Sequence, residues 1–309
     1  MKKIPIWKNI ILIVSALVVI IIATLAWFVT ENWGEVTAMN VDVKRASFIQ
    51  ISSDDGESWM EDLNLEIGLN DRIKEISGDG KTFYEPTYDI AQTPDGDLVP
   101  IISTFEQVNG PEKYYEQIVS FRADANHDVY LAPTSYVSAV SGEENSYIAG
   151  AIRVAFFELD ENDNETLKCI WAPNSTIEYS AQTNSFTEEG TVEPNYYYQI
   201  SKTPVDVNTL TDDVSNPHVQ KIPTADPENT DEIPVCGYDP LHKFLWSSGE
   251  ELPENAPSLL TLQLADGDTL GNKRMKIKVW LEGHDRECVS LLAGQKFTMK
   301  FEFTATKGE

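Results

Sequence analysis

The 309-residue chain is poor in cysteine, histidine and basic residues. It contains three cysteines and four histidines, and its 23 lysines and arginines face 50 aspartates and glutamates. The resulting net charge of −27 excludes electrostatic binding of nucleic acid and disfavours anionic lipid. We interpret the excess of carboxylates as an aid to solubility, with divalent-cation binding as the alternative.

The motifs of hydrolytic catalysis are also missing. The four histidines are His127, His218, His242 and His284. None belongs to an H-E-x-x-H motif, and no two lie within four residues of each other. No G-x-S-x-G motif occurs, and the closest pairing of a nucleophile with a histidine is Cys288 with His284. We therefore predict a protein without enzymatic activity.

The cysteines do not form a zinc-binding pattern. Cys169, Cys236 and Cys288 lie far apart, and none belongs to a C-x-x-C motif. Outside a membrane an odd number of cysteines leaves at least one unpaired. We predict three buried thiols, with a single disulfide as the alternative.

A long apolar run near the N-terminus contrasts with this polar composition. Residues 10–29, IILIVSALVVIIIATLAWFV, carry no charge. A helix of that length spans about 30 Å, the thickness of the hydrocarbon core of a bilayer. Lys2, Lys3 and Lys8 precede the run, and Glu31 and Glu35 follow it. The positive-inside rule predicts a cytoplasmic basic tail (residues 1–9), a single-pass anchor in the lipid bilayer (10–29) and an extracytoplasmic domain (30–309).

The same run has a second interpretation as a secretory signal. Thr24 and Ala26 occupy the two small-residue positions before a cleavage site between Ala26 and Trp27. The run is long for the apolar part of a signal, which favours a retained anchor. In either case the domain is exported, and it stays on the cell membrane or is released to the cell surface.

Alternation of apolar and polar residues predicts an all-β domain after the apolar run. Residues 273–282 and 296–306 show it best, with Met275, Ile277, Val279 and Leu281 on one face of the first and Phe297, Met299, Phe301 and Phe303 on one face of the second. Residues 147–171 predict a β-hairpin with a tight turn at 160–164. Such strands, at short intervals with turn-rich gaps, predict an antiparallel β-sandwich.

Two segments depart from this regular pattern. The alternation of apolar and polar residues at 35–52 shifts by one position, which predicts one half-buried strand with a bulge at 44–47. Residues 201–257 contain eight prolines, eleven acidic and three basic residues, and show little periodicity. We predict that they form an irregular insertion in the sandwich.

Two features raise ligand-binding alternatives. Asp160, Asn162 and Asn164 supply oxygen atoms at positions 1, 3 and 5 of a calcium loop, but Glu165 and Trp171 replace its required glycine and glutamate. An Asx-rich hairpin turn is therefore the favoured interpretation, and calcium the alternative. The tyrosines at 196–198 suggest a glycan-binding platform, although alternation in a strand favours core or edge packing.

Two segments resemble the TasA and camelysin family of Gram-positive surface proteins. Residues 23–30, ATLAWFVT, resemble the A/G-T-x-A-aromatic-Phe signature at the family's export signals. Residues 297–306, FTMKFEFTAT, are similar to the closing strand of its jelly roll, an amphipathic run that ends in Phe-x-Ala-Thr. Residues 166–173 and 278–288 also resemble segments that recur in uncharacterised exported proteins of clostridia.

The resemblance implies a jelly-roll-like antiparallel β-sandwich exported to the cell surface, often as a subunit of biofilm-matrix fibres. In such fibres an N-terminal strand can complete the sheet of the neighbouring subunit. Residues 35–51 occupy the matching position, and the candidate strand-exchange residues are Val41, Val43, Phe48 and Ile51. We therefore predict a non-enzymatic structural subunit that associates with itself or with other cell-surface components. The alternative is a membrane-anchored binding module, an adhesin for glycans or proteins.

The N-terminus provides the first test, because the chain departs from the family pattern there. The apolar run is longer than the family's usual signal, and Val29-Thr30-Glu31 replaces the usual Ser/Thr-Asp. We expect the intact mass of protein from its native cell surface to correspond to a chain that begins at Met1. A mature N-terminus at Trp27 would instead establish release by a signal peptidase.

Overall fold

The computed structural model describes residues 33–43, 49–65, 72–78, 80–92, 98–132, 134–140, 147–173, 177–180, 183, 185–188, 196–205, 235–243, 256–264, 271–283, 285 and 287–307. These residues form an all-β fold, with short 3₁₀ turns at Ile148–Ala151 and Ser290–Leu292. In this part of the chain no helix is long and apolar enough to cross a membrane. The predicted anchor (10–29) and cleavage site (Ala26 and Trp27) lie outside the described residues.

The strands are numbered in chain order. They are β1 (Trp33–Val43), β2 (Ile49–Ser52), β3 (Asp62–Leu65), β4 (Arg72–Gly78), β5 (Phe83–Gln92), β6 (Leu98–Gln107), β7 (Tyr115–Ala123), β8 (His127–Leu131), β9 (Tyr136–Ala139), β10 (Ile152–Leu159), β11 (Glu165–Ala172), β12 (Ile177–Ser180), β13 (Ser185–Glu188), β14 (Tyr196–Val205), β15 (Val235–Lys243), β16 (Leu260–Leu262), β17 (Gly271–Glu282) and β18 (Gln295–Lys307).

Most of these strands belong to two sheets. The first sheet has the order β3-β1-β18-β8-β16, and β9 pairs with the first half of β18. The second sheet has the order β2-β7-β17-β10-β11-β14-β15. β4 joins the two sheets, because it pairs with β1 at its beginning and with β17 further along. Beyond β4, β5 and β6 form a ribbon, and β12 pairs with β13 in a separate hairpin.

The two sheets pack face to face in a sandwich-like arrangement around one large apolar core. The predicted faces of β17 and β18 supply its centre, since all eight of their alternating apolar side chains are buried. Phe301 of β18 meets Phe156 and Trp171 of the second sheet edge to face, with ring centroids 5.7 and 5.9 Å apart. Phe303 meets Phe121 in the same way at 5.0 Å. Such edge-to-face contacts add stability beyond the area that the rings bury.

A smaller apolar cluster covers the opposite face of the second sheet. Trp280 of β17 is fully buried there, and its ring centroid lies 5.2 Å from that of Phe83 at the base of β5. Phe157 of β10 belongs to the same cluster. The residues of β10 therefore lie between two apolar layers, which explains why consecutive side chains of that strand are apolar.

The structure confirms one predicted hairpin, and it differs from the prediction in two other segments. β10 and β11 form the predicted hairpin, although a 3₁₀ turn replaces its first residues. The predicted single strand at 35–52 is divided into β1 and β2, which belong to different sheets. The segment 201–257, predicted to be irregular, includes the end of β14 and all of β15. Alternation indicates which face a residue occupies, but it does not indicate which sheet the strand joins.

The central position of Phe301 gives a direct test of the core. We expect Phe301→Ala to lower the free energy of unfolding by about 3–5 kcal/mol, because it removes a ring that contacts both Phe156 and Trp171. Thr306→Ala on the same strand is the matched control. Thr306 is exposed, so its change should stay within about 0.5 kcal/mol. Equal losses in chemical denaturation would contradict the described core.

Candidate functional site: the seat of the N-terminal strand

The N-terminal strand β1 lies inside the first sheet, and the strands on either side of it form its seat. On one side it pairs in parallel with β18, from Gly34 opposite Gln295 to Val43 opposite Phe303. On the other side it pairs antiparallel with β3 and with the beginning of β4. Met39 is fully buried, opposite Met299. β1 is therefore a structural part of the sheet on both of its edges.

β18, the strand that β1 covers, buries every second side chain from Phe297 to Phe303 in the core. Along β18, apolar side chains directed into the core alternate with polar ones, and the carboxylate of Glu302 binds Thr134 and Lys300 on the polar side. Ser135 also donates to the backbone oxygen of Glu302 at 3.2 Å. Without β1, one edge of β18 would lose its hydrogen-bonding partner, and the core beneath it would lose Met39.

β4 continues beyond the beginning of β1. Trp33, the first described residue, lies opposite Lys74, so the next residues of β4 extend past the N-terminal end of β1. There Glu75 and Ile76 pair in parallel with Leu281 and Glu282 at the end of β17. The turn that follows β17 therefore lies at the N-terminal end of β1.

A buried polar network occupies this end of the molecule. Glu282, Asp285 and Glu287 are 2, 0 and 0% exposed. Glu282 accepts hydrogen bonds from the hydroxyl of Ser77 on β4 and from Nε1 of Trp280, the latter at 2.9 Å. Gly283 donates its N–H to the carbonyl of Ile76 at 2.9 Å. The bonds with Ser77 and Ile76 attach the end of β17 and the following turn to β4.

Arg153 connects the same turn to β10. Its guanidinium is 2% exposed and forms an ion pair with Asp285. It also donates to the carbonyl oxygens of Ile152 and Gly150 at 2.9 and 3.3 Å. The second oxygen of Asp285 accepts the backbone N–H of Glu287 at 2.9 Å. A buried charge of this kind is stable only with such partners.

The network changes the proton affinity of one carboxyl in particular. Burial raises the pKa of Asp285 well above its ordinary value of 3.8. The guanidinium of Arg153 acts in the opposite direction, and a side-chain hydrogen bond with Glu287 favours the protonated form. Asp285 therefore retains a proton to higher pH than an exposed aspartate.

Two of the four candidate strand-exchange residues lie in β1 itself. Val41 and Val43 belong to β1, opposite Phe301 and Phe303. Phe48 lies outside the described residues. Ile51 lies in β2 of the second sheet, where it is fully buried opposite Phe121. Of the predicted segment 35–51, the part up to Val43 therefore belongs to β1, and Ile51 belongs to a different sheet.

The candidate calcium loop at Asp160 forms hydrogen bonds with its own backbone, and a turn at Asp54 does the same. Asp160 accepts the N–H groups of Asn162 and Asn164, both at 2.8 Å, in the predicted Asx-type turn. Asp54 accepts the N–H of Ser58 at 2.9 Å, and hydrogen bonds from Ser52 and Ser58 lower the pKa of Asp54 to about 2. Among the described residues, no group of three or more His, Cys, Asp or Glu side chains is placed to hold a metal ion.

One histidine and two cysteines with described side chains are buried. His127 is buried, and its Nδ1 lies 3.3 Å from the carbonyl oxygen of Thr306. Cys169 and Cys288 are buried, in agreement with the predicted thiols. Burial raises the pKa of Cys169, which makes this thiol a poor nucleophile at neutral pH.

Comparisons of the chain with protein-family models, with curated proteins and with solved structures find no match. The resemblance to TasA and camelysin proteins therefore stays a hypothesis.

Sequence reasoning missed the buried network, because charged residues after a strand are usually exposed. The sequence does contain one signal of a polar site, since three of the six residues 282–287 carry carboxylates. Their partners Arg153 and Ser77, however, are distant in sequence. No spacing rule connects these positions.

The attachment of the turn to β4 can be tested at Ser77. We expect Ser77→Ala to lower the free energy of unfolding by about 1–3 kcal/mol, because buried Glu282 then loses a hydrogen-bond donor. Ser138→Ala is the control, since it removes an exposed hydroxyl that lies 3.2 Å from Thr298 Oγ1. The control should change stability by less than about 0.5 kcal/mol. A neutral result for Ser77→Ala in denaturant titration would contradict the described bond.

Proposed function

We propose that this protein is an exported structural subunit of the cell surface, with a jelly-roll-like sandwich that forms fibres by exchange of β1. The observation that carries the proposal is the position of β1, which lies between β18 and the β3 and β4 strands at the beginning of the domain. A strand in this position can insert into the same seat of a second copy and form the same ladder there.

The chain around β1 is suited to such an exchange. β1 is the first described strand, and residues 44–48 connect it to β2. β1 can therefore move to a second copy if only this connection changes direction. The hydrogen bonds and apolar contacts of the seat are the same within one chain and between two chains. Exchange therefore costs little enthalpy, and it converts a closed monomer into an open head-to-tail polymer.

An anchored form of the protein places constraints on this end of the domain. Residue 29, the end of the predicted membrane segment, is four residues before Trp33, a distance of at most about 14 Å in extended chain. The beginning of β1, the end of β17 and the buried network then lie close to the bilayer surface. Cleavage between Ala26 and Trp27 removes this tether and frees β1 to reach a neighbouring subunit.

A paired-cysteine variant tests exchange directly. Ala38 and Thr298 are Cα partners in the β1–β18 ladder, and neighbouring strands lie about 4.8 Å apart, within the Cα separation that a disulfide bridges. We expect full-length Ala38→Cys/Thr298→Cys to form interchain disulfides at high protein concentration, seen as a ladder on a non-reducing gel. Dilution before oxidation should favour the intrachain bond, because β1 then occupies its own seat.

The matched control is Ala38→Cys alone, which reports any reaction with the native cysteines. Intrachain product at every concentration would overturn strand exchange. In that case a membrane-anchored binding module, the alternative function, becomes the better interpretation, and the tyrosines at 196–198 of β14 are then the first residues to replace by alanine.

A further inference from the structure

Asn109 and Gly110 form the only Asn-Gly pair in the sequence. They lie in the loop that joins β6 to β7. Asparagine is a chemically labile residue, and it reacts when the backbone nitrogen of the next residue reaches its side-chain carbonyl carbon, Cγ. Glycine is the most permissive neighbour for this reaction, because it has no Cβ to obstruct the approach and adopts the widest range of backbone angles.

The structure leaves this pair open to solvent. Both residues are exposed. Gly110 has a φ of +95°, in the left-handed region that glycine adopts readily. A Cβ atom built on Gly110 would have no described heavy atom within 4 Å outside its chain neighbours. The approach of the Gly110 nitrogen to Asn109 therefore meets no obstacle from the described part of the molecule.

The side chain of Asn109 is also loosely held. Its Nδ2 lies 3.5 Å from the carbonyl oxygen of Gln107, which is longer than a usual hydrogen bond. Asn164, in the β10–β11 turn, is also exposed but is firmly bound. Its Nδ2 and its backbone N–H donate to the carboxylate of Asp160 at 2.7 and 2.8 Å. Glu165 follows it and begins β11, so Asn164 is an internal reference for a held asparagine.

The loop is fixed on both sides of the reacting pair. The N–H of Val108 donates to the carbonyl oxygen of Phe83 at 2.9 Å. The carbonyl oxygen of Lys113 accepts the N–H of Lys74 at 2.8 Å. The rotation that the reaction needs is therefore confined to residues 109–112, and it does not require either sheet to open.

We propose that Asn109 is a site of spontaneous deamidation in the folded protein. The backbone nitrogen of Gly110 loses its proton to solvent and forms a bond to Cγ of Asn109, and the bond from Cγ to Nδ2 breaks. The side-chain nitrogen takes up a proton and leaves as ammonia, and a five-membered succinimide ring remains. Water then adds to one of the two ring carbonyl groups, and the ring opens to aspartate or to isoaspartate. Water is the only co-reactant.

The reaction changes the loop in two ways. The new carboxylate is ionised at neutral pH, so the net charge of −27 becomes more negative by one. In isoaspartate the main chain runs through the former side chain and is longer by one carbon atom. Because β4 and β5 hold the two sides of the loop, both changes stay local and leave the sheets intact.

Peptide mapping of the full-length chain in detergent micelles measures the reaction. The protein is kept at about pH 8, where removal of the amide proton is favoured, and is sampled over several days. We expect the peptide that covers residues 108–113 to gain about 1 Da and to separate into aspartate and isoaspartate forms. The peptide that contains Asn164 should keep its mass. Equal gains in the two peptides would contradict the role of the local structure.

The rate in the folded protein tests whether the loop permits the reaction. It should lie within about tenfold of the rate for the same chain unfolded in denaturant, since the pair is exposed and loosely held. A folded chain that reacts more slowly than this would overturn the proposal, because the loop would then hold Asn109 in an unreactive conformation. The outcome does not depend on exchange of β1.

Asn109→Gln is the matched variant, because it retains the amide but needs a six-membered ring, which closes less readily. It should abolish the mass gain of the 108–113 peptide. Hydroxylamine gives a second readout, since it attacks the succinimide and cuts the chain into residues 1–109 and 110–309. We expect both fragments from the folded wild-type chain and neither from Asn109→Gln. Equal cutting of the two chains, or no cutting of the wild type, would overturn the assignment.

Discussion

The parallel ladder between β1 and β18 is the constraint on which the rest of the structure depends. It joins the first and last described strands, so all of the chain between them forms the connection of one parallel pair. A tight turn cannot join parallel neighbours, and here two packed layers of strands take the place of the usual single crossover helix. The first sheet is complete only when β1 and β18 are both present.

The core explains why β18 requires a neighbour on this edge. Its apolar side chains meet rings from three strands of the second sheet, among them Phe121, Phe156 and Trp171. A strand so deeply engaged cannot leave its backbone groups unpaired without cost. The pairing of β1 with β18 is thus part of the stability of the first sheet, and the proposed assembly would require a second chain to supply the same strand.

β4 is the element through which the two layers and the N-terminal strand are coupled. It pairs with β1, β17 and β5 in succession over seven residues. The buried network of Arg153, Asp285 and Glu282 is attached to the same strand. Hydrogen bonds from Ser77 to Glu282 and from Gly283 to Ile76 therefore connect the turn after β17 to the strand that pairs with the beginning of β1.

Prediction from the sequence succeeded where the pattern was long and regular. β17 and β18 lie close to their predicted bounds, and the β10–β11 hairpin has the predicted Asp160 turn. It failed for the segment at 35–52, since a change of sheet leaves the alternation of side chains intact. It also missed β15, whose sequence contains glycine and proline within a polar stretch.

The sequence by itself determined the all-β class and the faces of the principal strands, because alternation depends only on neighbouring residues. It also determined that one apolar run precedes an acidic domain. The tertiary structure alone decided that β1 pairs with β18 and that Asp285 and Glu287 are buried. These features depend on partners far away in the chain, such as Arg153, which is 132 residues from Asp285. Only the folded arrangement of the sheets brings such groups together.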